Sequence, residues 1–281
     1  MNDQPKPNHV PTRRGRLATI VTGGSRGIGL ALARRFLDDG HNVVVIARGK
    51  AGLDQAVAVL RAEARQGQSV VPLVLDVTRA DACQTIDETL AGNGLEPGIL
   101  INNAGVGLGG TLTTQSADDL SHLVALNVDA LTRLTRHMLI RMRDNGGGTI
   151  INVSSLGGYV PGPYQAAYYA SKAYVNAFTE AAGWEASGSG VNVMLVAPGP
   201  VETGFHAAMG AEKSLYRRLL PGMSPAAIAN SVHLGYRLGL RVVVPGPHFR
   251  LMSLALRILP HPIALPLIGF LLKPRGTAGS R

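Results

Sequence analysis

The amino-acid sequence predicts an α/β fold: a seven-stranded, doubly wound parallel sheet with helices on both faces, in three layers. Seven short runs rich in Val and Ile recur between residues 17 and 246. Most of them are continuously apolar rather than alternating, the pattern of strands buried on both faces. The stretches between them have room for the crossover helices that parallel strands require.

In chain order, residues 1–16 read as a disordered basic arm, polar and Pro-rich with no apolar period. The strand runs are LATIVTG (17–23), NVVVIA (42–47), SVVPLVLD (69–76), GILINNAG (98–105), GTIINVSS (148–155), VNVMLVAPG (191–199) and RVVVPG (241–246). Residues 17–246 therefore form one domain. Residues 224–239 have helical spacing, with Ser224 placed to cap and Pro225 at the first helical position. Residues 247–281 form an apolar and basic extension. Its longest uncharged stretch, Ile258 to Leu272, is 15 residues and includes His261 and three prolines, short of the roughly 20 needed to span a bilayer. It reads as two short amphipathic pieces that cover the mouth of a site, join subunits or rest on a membrane surface.

Composition narrows the class. A chain of 281 residues can bury roughly three quarters of its unfolded surface without help from disulfides or metals. With 16% of residues charged, the bulk of the chain is outside the disordered class. Cys83 is the one cysteine, so no intramolecular disulfide forms. The His residues show no HxxxH or HExxH spacing, and no metal site is expected. Residues 1–16 have no apolar secretory core, which makes a cytoplasmic protein the default expectation. The net charge of +9 is unevenly spread: residues 17–212 hold 13 basic and 17 acidic groups, whereas residues 213–281 hold ten basic groups and no Asp or Glu. Such asymmetry points to an anionic partner. The cations are interleaved with Leu, Ile and Pro, which suits a membrane surface or an anionic-substrate mouth better than nucleic acid.

The first chemical signal is TGGSRGIG (22–29), between the first strand run and an Ala/Leu/Arg-rich helical stretch. Gly23 turns tightly, Gly27 lets backbone approach a pyrophosphate, and Gly29 permits close helix–strand packing. The helix N-terminus, at Ser25, Arg26 and Ile28, offers unpaired N–H groups to phosphate. The second strand runs into Arg48 and Lys50 with no acid to hold a ribose 2′-hydroxyl. Arg48, with Arg26, suits a 2′-phosphate, and the expected cofactor is NADP(H).

The second signal is Tyr168 and Lys172, four apart in an Ala-rich helical stretch and so on one face. A lysine ammonium near a phenol favours the phenolate and is expected to lower its pKa. Ser155 ends the fifth strand run, at the edge where open parallel sheets bind ligands, and Asn127 lies in the preceding helical stretch.

Together TGGSRGIG, Asp76-Val77, NNAG (102–105), Asn127, Ser155, YxxxK (168–172) and PGPVET (198–203) resemble the classical short-chain dehydrogenase/reductase family, in order and in spacing. The resemblance spans residues 17–246. It implies a Rossmann-type fold, a small-molecule carbonyl or alcohol substrate and a homodimer or homotetramer. It implies that Tyr168 is the general acid or base, that Lys172 tunes it and holds the nicotinamide ribose, and that Ser155 binds the carbonyl oxygen. Asn127 would position a water. Asp76 and Val77 would meet the adenine, and Asn103, Ala104 and Gly105 would line the cofactor groove. Pro198, Gly199, Val201 and Thr203 would lie by the nicotinamide. A lid is implied at roughly Glu202 to Met223; its Phe205 and Met209, with Leu156, Tyr159, Val160 and Tyr164, suggest an apolar carbonyl substrate, and several of them read equally well as core packing. The extension is similar to that of 3-ketoacyl reductases and hydroxysteroid dehydrogenases. The alternatives are the same chemistry on a lipid-like substrate, a 3-oxoacyl thioester or a steroid, at a membrane surface, and a non-catalytic NADP(H) sensor; the complete Asn–Ser–Tyr–Lys set argues against the sensor. Trp184 reads as packing on the Ala-rich helix.

Overall fold

The computed structural model describes residues 16–202 and 221–273. Its strands are β1 (Arg16–Thr22), β2 (Asn42–Ala47), β3 (Val70–Val74), β4 (Leu95–Asn102), β5 (Gly148–Val153), β6 (Val191–Val196) and β7 (Val242–Val243). They form one sheet in the order β3-β2-β1-β4-β5-β6-β7, and every pairing is parallel. The helices are α1 (Gly27–Asp38), α2 (Lys50–Glu63), α3 (Ala82–Gly92), α4 (Ala117–Val124), α5 (Leu131–Asp144), α6 (Ala166–Glu185), α7 (Pro225–Arg237), α8 (Pro247–Ile258) and α9 (His261–Leu272).

The continuous strand runs are explained by the two layers they feed. Side chains alternate across a sheet. Val43 and Val45 of β2 enter one core with Leu32 and Phe36 of α1, Leu53 and Leu60 of α2 and Ile228 and Val232 of α7. Val44 and Ile46 enter the other with Ile86 of α3 and Leu134, Met138 and Met142 of α5. A strand that serves both cores has no polar face to spare. The edge strand β3 is the exception: its burial alternates, and Pro72 is tolerated there.

Boundaries differ from expectation where local geometry decides. β1 begins at Arg16, inside the stretch read as an arm. The Arg16 guanidinium donates to Asn42 Oδ1 at 2.8 Å and to Ser69 Oγ at 3.1 Å, which draws it into the sheet. β7 keeps two of the six residues of its run. Ser224 caps α7, its hydroxyl accepting from Ala227 N at 3.2 Å.

Two features position the site. β1 pairs with both β2 and β4, so the chain changes winding direction between β1 and β4 and opens a crevice at their carboxyl ends. The helix running from α4 to α5 is continuous but carries a π-turn at Ala125–Ala130, which turns Asn127 into the protein. Among the described residues no helix is long and apolar enough to cross a membrane.

Candidate active site

The carboxyl ends of β1, β2, β4, β5 and β6 open into a single cleft of about 960 Å³. Its floor at β1 is the glycine turn. Gly23 and Gly27 have φ of 65° and 57°, the left-handed region that favours glycine. A Cβ on Gly29 would lie 2.3 Å from Gly23 O, so the third glycine is fixed by closest approach and sits behind the cleft wall. The end of β4 is tied to this turn. Asn103 Nδ2 donates to the carbonyls of Thr22 and Gly23 at 3.0 and 3.1 Å, and the Thr22 hydroxyl accepts from the amides of Asn103 and Ala104, each at 3.0 Å. Thr22 was not singled out from the sequence; as the first letter of TGGSRGIG it was legible there. The N-cap of α1, Arg26, makes no side-chain capping bond and no acid occupies the first turn. The first N–H groups of α1 thus lie at the cleft free of a side-chain cap.

At the end of β2, Arg48 is exposed and lines the cleft. Its Nη1 is 3.0 Å from His122 Nε2 and 3.9 Å from Asp76 Oδ2. Burial alone would raise the Asp76 carboxyl, but hydrogen bonds from the Thr78 amide and hydroxyl, with Arg48 and His122 nearby, hold it below the ordinary carboxylate range. Lys50 instead pairs with Asp54 at 2.9 Å, one helical turn on.

The reacting end is built by β5 and α6. Ser155 follows β5 in extended backbone and caps a short 3₁₀ turn, Leu156–Tyr159, its Oγ accepting from Gly157 N at 3.1 Å. The Ser155 hydroxyl also hydrogen-bonds the Tyr168 phenol. Lys172 follows one turn along α6; its ammonium donates to Val153 O at 3.0 Å and stands 5.9 Å from the centre of the Tyr168 ring. Gly158 lets the loop lie on α6, because a Cβ there would be 2.6 Å from Lys172 O. Phenol, hydroxyl and ammonium therefore converge on one cleft wall, with the glycine turn in the same cleft.

Electrostatics differ from the expected phenolate. Tyr168 and Lys172 are both buried. Burial pushes the phenol up to about 12, with the Ser155 hydrogen bond opposing, and pushes the lysine down to about 8. Desolvation is the largest cause for both groups, and the phenol holds its proton at neutral pH. The Asn127 side chain is held on three sides. Its Oδ1 accepts from Val106 N at 2.9 Å, and its Nδ2 donates to Val106 O at 2.8 Å and to Ser171 Oγ at 3.0 Å. The amide is committed to holding the loop after β4 against α6.

Of the residues expected to bind cofactor, Gly23, Ser25, Arg26, Gly27, Ile28, Arg48, Asp76, Val77, Asn103, Ala104, Gly105, Tyr168, Lys172, Pro198, Gly199 and Val201 line the cleft. Thr203, Phe205 and Met209 lie outside the described residues. The two ends of that segment meet, Val201 pairing with Met223. Three expected substrate contacts are absent from the described cleft wall. Leu156 is buried behind it. Tyr159 is taken by Arg257, whose Nη2 donates to the phenol oxygen at 3.0 Å and whose guanidinium stacks 4.6 Å from the ring centre. Tyr164, at φ 66°, packs among apolar residues beside α9. Gln165 and Tyr169 line the cleft instead; both lie within one turn of Tyr168, and helical spacing was the signal for them. Trp184 is 75% exposed, not packed as expected, with the Arg241 guanidinium 6.0 Å from its ring.

The chain matches the short chain dehydrogenase family over residues 18–214. It is 31% identical over 215 residues to the ketoacyl reductase HetN of Nostoc sp., covering 76% of this chain and 72% of that protein. A short-chain dehydrogenase from Sphingobium yanoikuyae solved in complex with NADPH superposes with a TM-score of 0.74 at 30% identity, covering 92% of this chain and 98% of that one. A Burkholderia phymatum short chain dehydrogenase/reductase in complex with NAD shares the fold, with a TM-score of 0.77 at 24% identity over 95% of this chain and 98% of that one. The family match and these likenesses show that the chain belongs to the short-chain dehydrogenase/reductase family of oxidoreductases.

Proposed function

We propose that the protein is an NADP(H)-dependent oxidoreductase that interconverts a ketone and a secondary alcohol on an apolar small molecule. The observation that carries this reading is the convergence of Ser155, Tyr168 and Lys172 on the wall of the cleft that also holds the glycine turn. The residues present fit a dinucleotide: no Cβ fits at Gly29, and the α1 N-terminus meets the cleft without a side-chain cap. Arg48 and Arg26 favour the 2′-phosphate form, because the end of β2 offers a guanidinium fork and no carboxylate of its own. The solved relative that binds NADPH supports the same choice.

When bound, the nicotinamide supplies hydride to a carbonyl carbon or accepts it from a carbinol. The side chains manage the oxygen. Ser155, its Oγ accepting from Gly157 N, turns its hydroxyl proton from the Tyr168 phenol toward the substrate oxygen, where negative charge develops. Tyr168, protonated at neutral pH, delivers the proton that converts that oxygen to a hydroxyl. Lys172 keeps its charge below about pH 8 and stabilises the phenolate left behind. Asn127 acts through position, fixing the loop after β4 against the helix that carries the other two. A panel of apolar ketones with NADPH and NADH tests the reading: NADPH oxidation with NADPH preferred supports it, and tight NADPH binding without turnover of any ketone overturns it.

A further inference from the structure

Helices α8 and α9 have two unlike faces. Inward, Phe249 of α8 and Ala264 and Leu272 of α9 are buried. Leu256, Ile268 and Leu272 pack in the cluster that contains Tyr168 and Tyr169 of the cleft wall. Outward, α8 exposes Leu251, Leu254 and Ile258, the last 82% exposed, and α9 exposes Ile263, Leu267 and Phe270, the last 62% exposed. These spacings of three and four put each trio on one face of its helix. Contiguous exposed apolar faces of this kind mark interaction surfaces.

Charge identifies the occupant of this face. Residues 213–281 contain no Asp or Glu. Arg250, one turn before Leu254, and Lys273, three residues beyond Phe270, are exposed at the flanks of the apolar stripe. Arg257 is satisfied within the fold by Glu180 at 3.2 Å and by Tyr159. A second copy docking through the same face would set these cations against their own kind. A sheet of anionic headgroups over acyl chains offers both the opposite charge and the apolar phase. Each helix has 12 residues, about 18 Å, too short to span and suited to lying in the interfacial plane.

We propose that α8 and α9 dock the protein onto an anionic lipid bilayer, with the outer face in the headgroup layer and the inner face packed behind Tyr168 and Tyr169 of the cleft wall. The cleft wall then stands about one helix diameter, roughly 10 Å, from the lipid.

Flotation of the full chain with vesicles of phosphatidylcholine alone, or with about 30% phosphatidylglycerol, tests this. The expected result is binding to the anionic vesicles at low salt, weakened but not abolished near 0.5 M salt, and slowed amide exchange confined to α8 and α9. Combining Leu254→Gln, Ile258→Gln and Phe270→Gln should reduce partition at least about tenfold with an unchanged thermal transition. Should that variant fail to fold, Arg250→Ser with Lys273→Ser removes the preference for phosphatidylglycerol. No flotation under any condition overturns the proposal. So does protection of α8 and α9 by raising protein concentration without lipid, which would make the face a contact between copies. Vesicle binding requires no turnover, so its failure is distinguishable from failure of the reductase reading.

Discussion

The two ends of the cleft are built by opposite means. The end at Gly23–Gly29 and Asn103–Gly105 is fixed by backbone: left-handed turns, a third glycine in closest approach, and Thr22 and Asn103 stitching β1 to β4. The end toward α8 and α9 is fixed by apolar side chains, with Leu123, Val160, Leu256, Ile268 and Leu272 around the two tyrosines. At the first end each constraint admits one residue type. At the second, any apolar residue of suitable volume serves. The Ser155–Tyr168–Lys172 wall stands between the two and depends on both.

Substitutions at each end separate these roles. The largest effect is expected at the wall: Tyr168→Phe should lower kcat by roughly 10²–10⁴ while leaving NADPH affinity, read by fluorescence titration, unchanged. Retention of most activity would remove the phenol as proton donor. At the backbone end, Gly29→Ala puts a methyl group 2.3 Å from Gly23 O. It should abolish measurable NADPH binding and cost about 1–3 kcal/mol in urea denaturation.

Lys172 allows a test by pH. Its pKa falls from the ordinary 10.5 to about 8 in the fold, so the unfolded chain binds more protons between those values and stability rises with pH across that window. Below pH 8 the penalty is constant. Lys172→Met should therefore stabilise the ligand-free protein at pH 7, on the order of 3 kcal/mol. The advantage should shrink between pH 8 and 10.5; a difference independent of pH would show that packing, not charge, is responsible. A smaller effect is expected for Arg48→Ala, which removes a charge-assisted contact of about 1.5–3 kcal/mol. NADPH should weaken relative to NADH by that amount, and an unchanged ratio of dissociation constants would reassign the 2′-phosphate contact. The smallest belongs to the apolar end: Leu272→Ala should raise KM for an apolar ketone several-fold with NADPH affinity unaltered.

What was legible in the sequence follows the same division. TGGSRGIG, NNAG and Ser155 stand at the strand ends and YxxxK on the helix where their pattern put them, because turn geometry and proton chemistry each demand particular residues. The continuous Val/Ile runs gave the sheet for a similar reason: only residues that serve two cores lack a polar face. For Tyr159 the sequence left substrate contact and packing open, because an aromatic next to a catalytic loop reads alike whether it meets substrate or, as here, a distant arginine 98 positions along the chain. The lowered phenol pKa was expected from spacing alone. Burial, which spacing does not report, reversed its direction. The partnership of Arg48 with His122, 74 residues apart, left no local pattern to find.

The π-turn at Ala125–Ala130 has a consequence for how this chain tolerates change. A π-turn holds one residue more than the α-turn it replaces. Removing one residue there would restore an ordinary helix and leave Leu131, Leu134, Met138 and Met142 in phase with the core, while Asn127 would lose the position from which it holds its loop. The extra residue thus serves the asparagine alone, and a deletion at this turn costs the chemistry before it costs the fold.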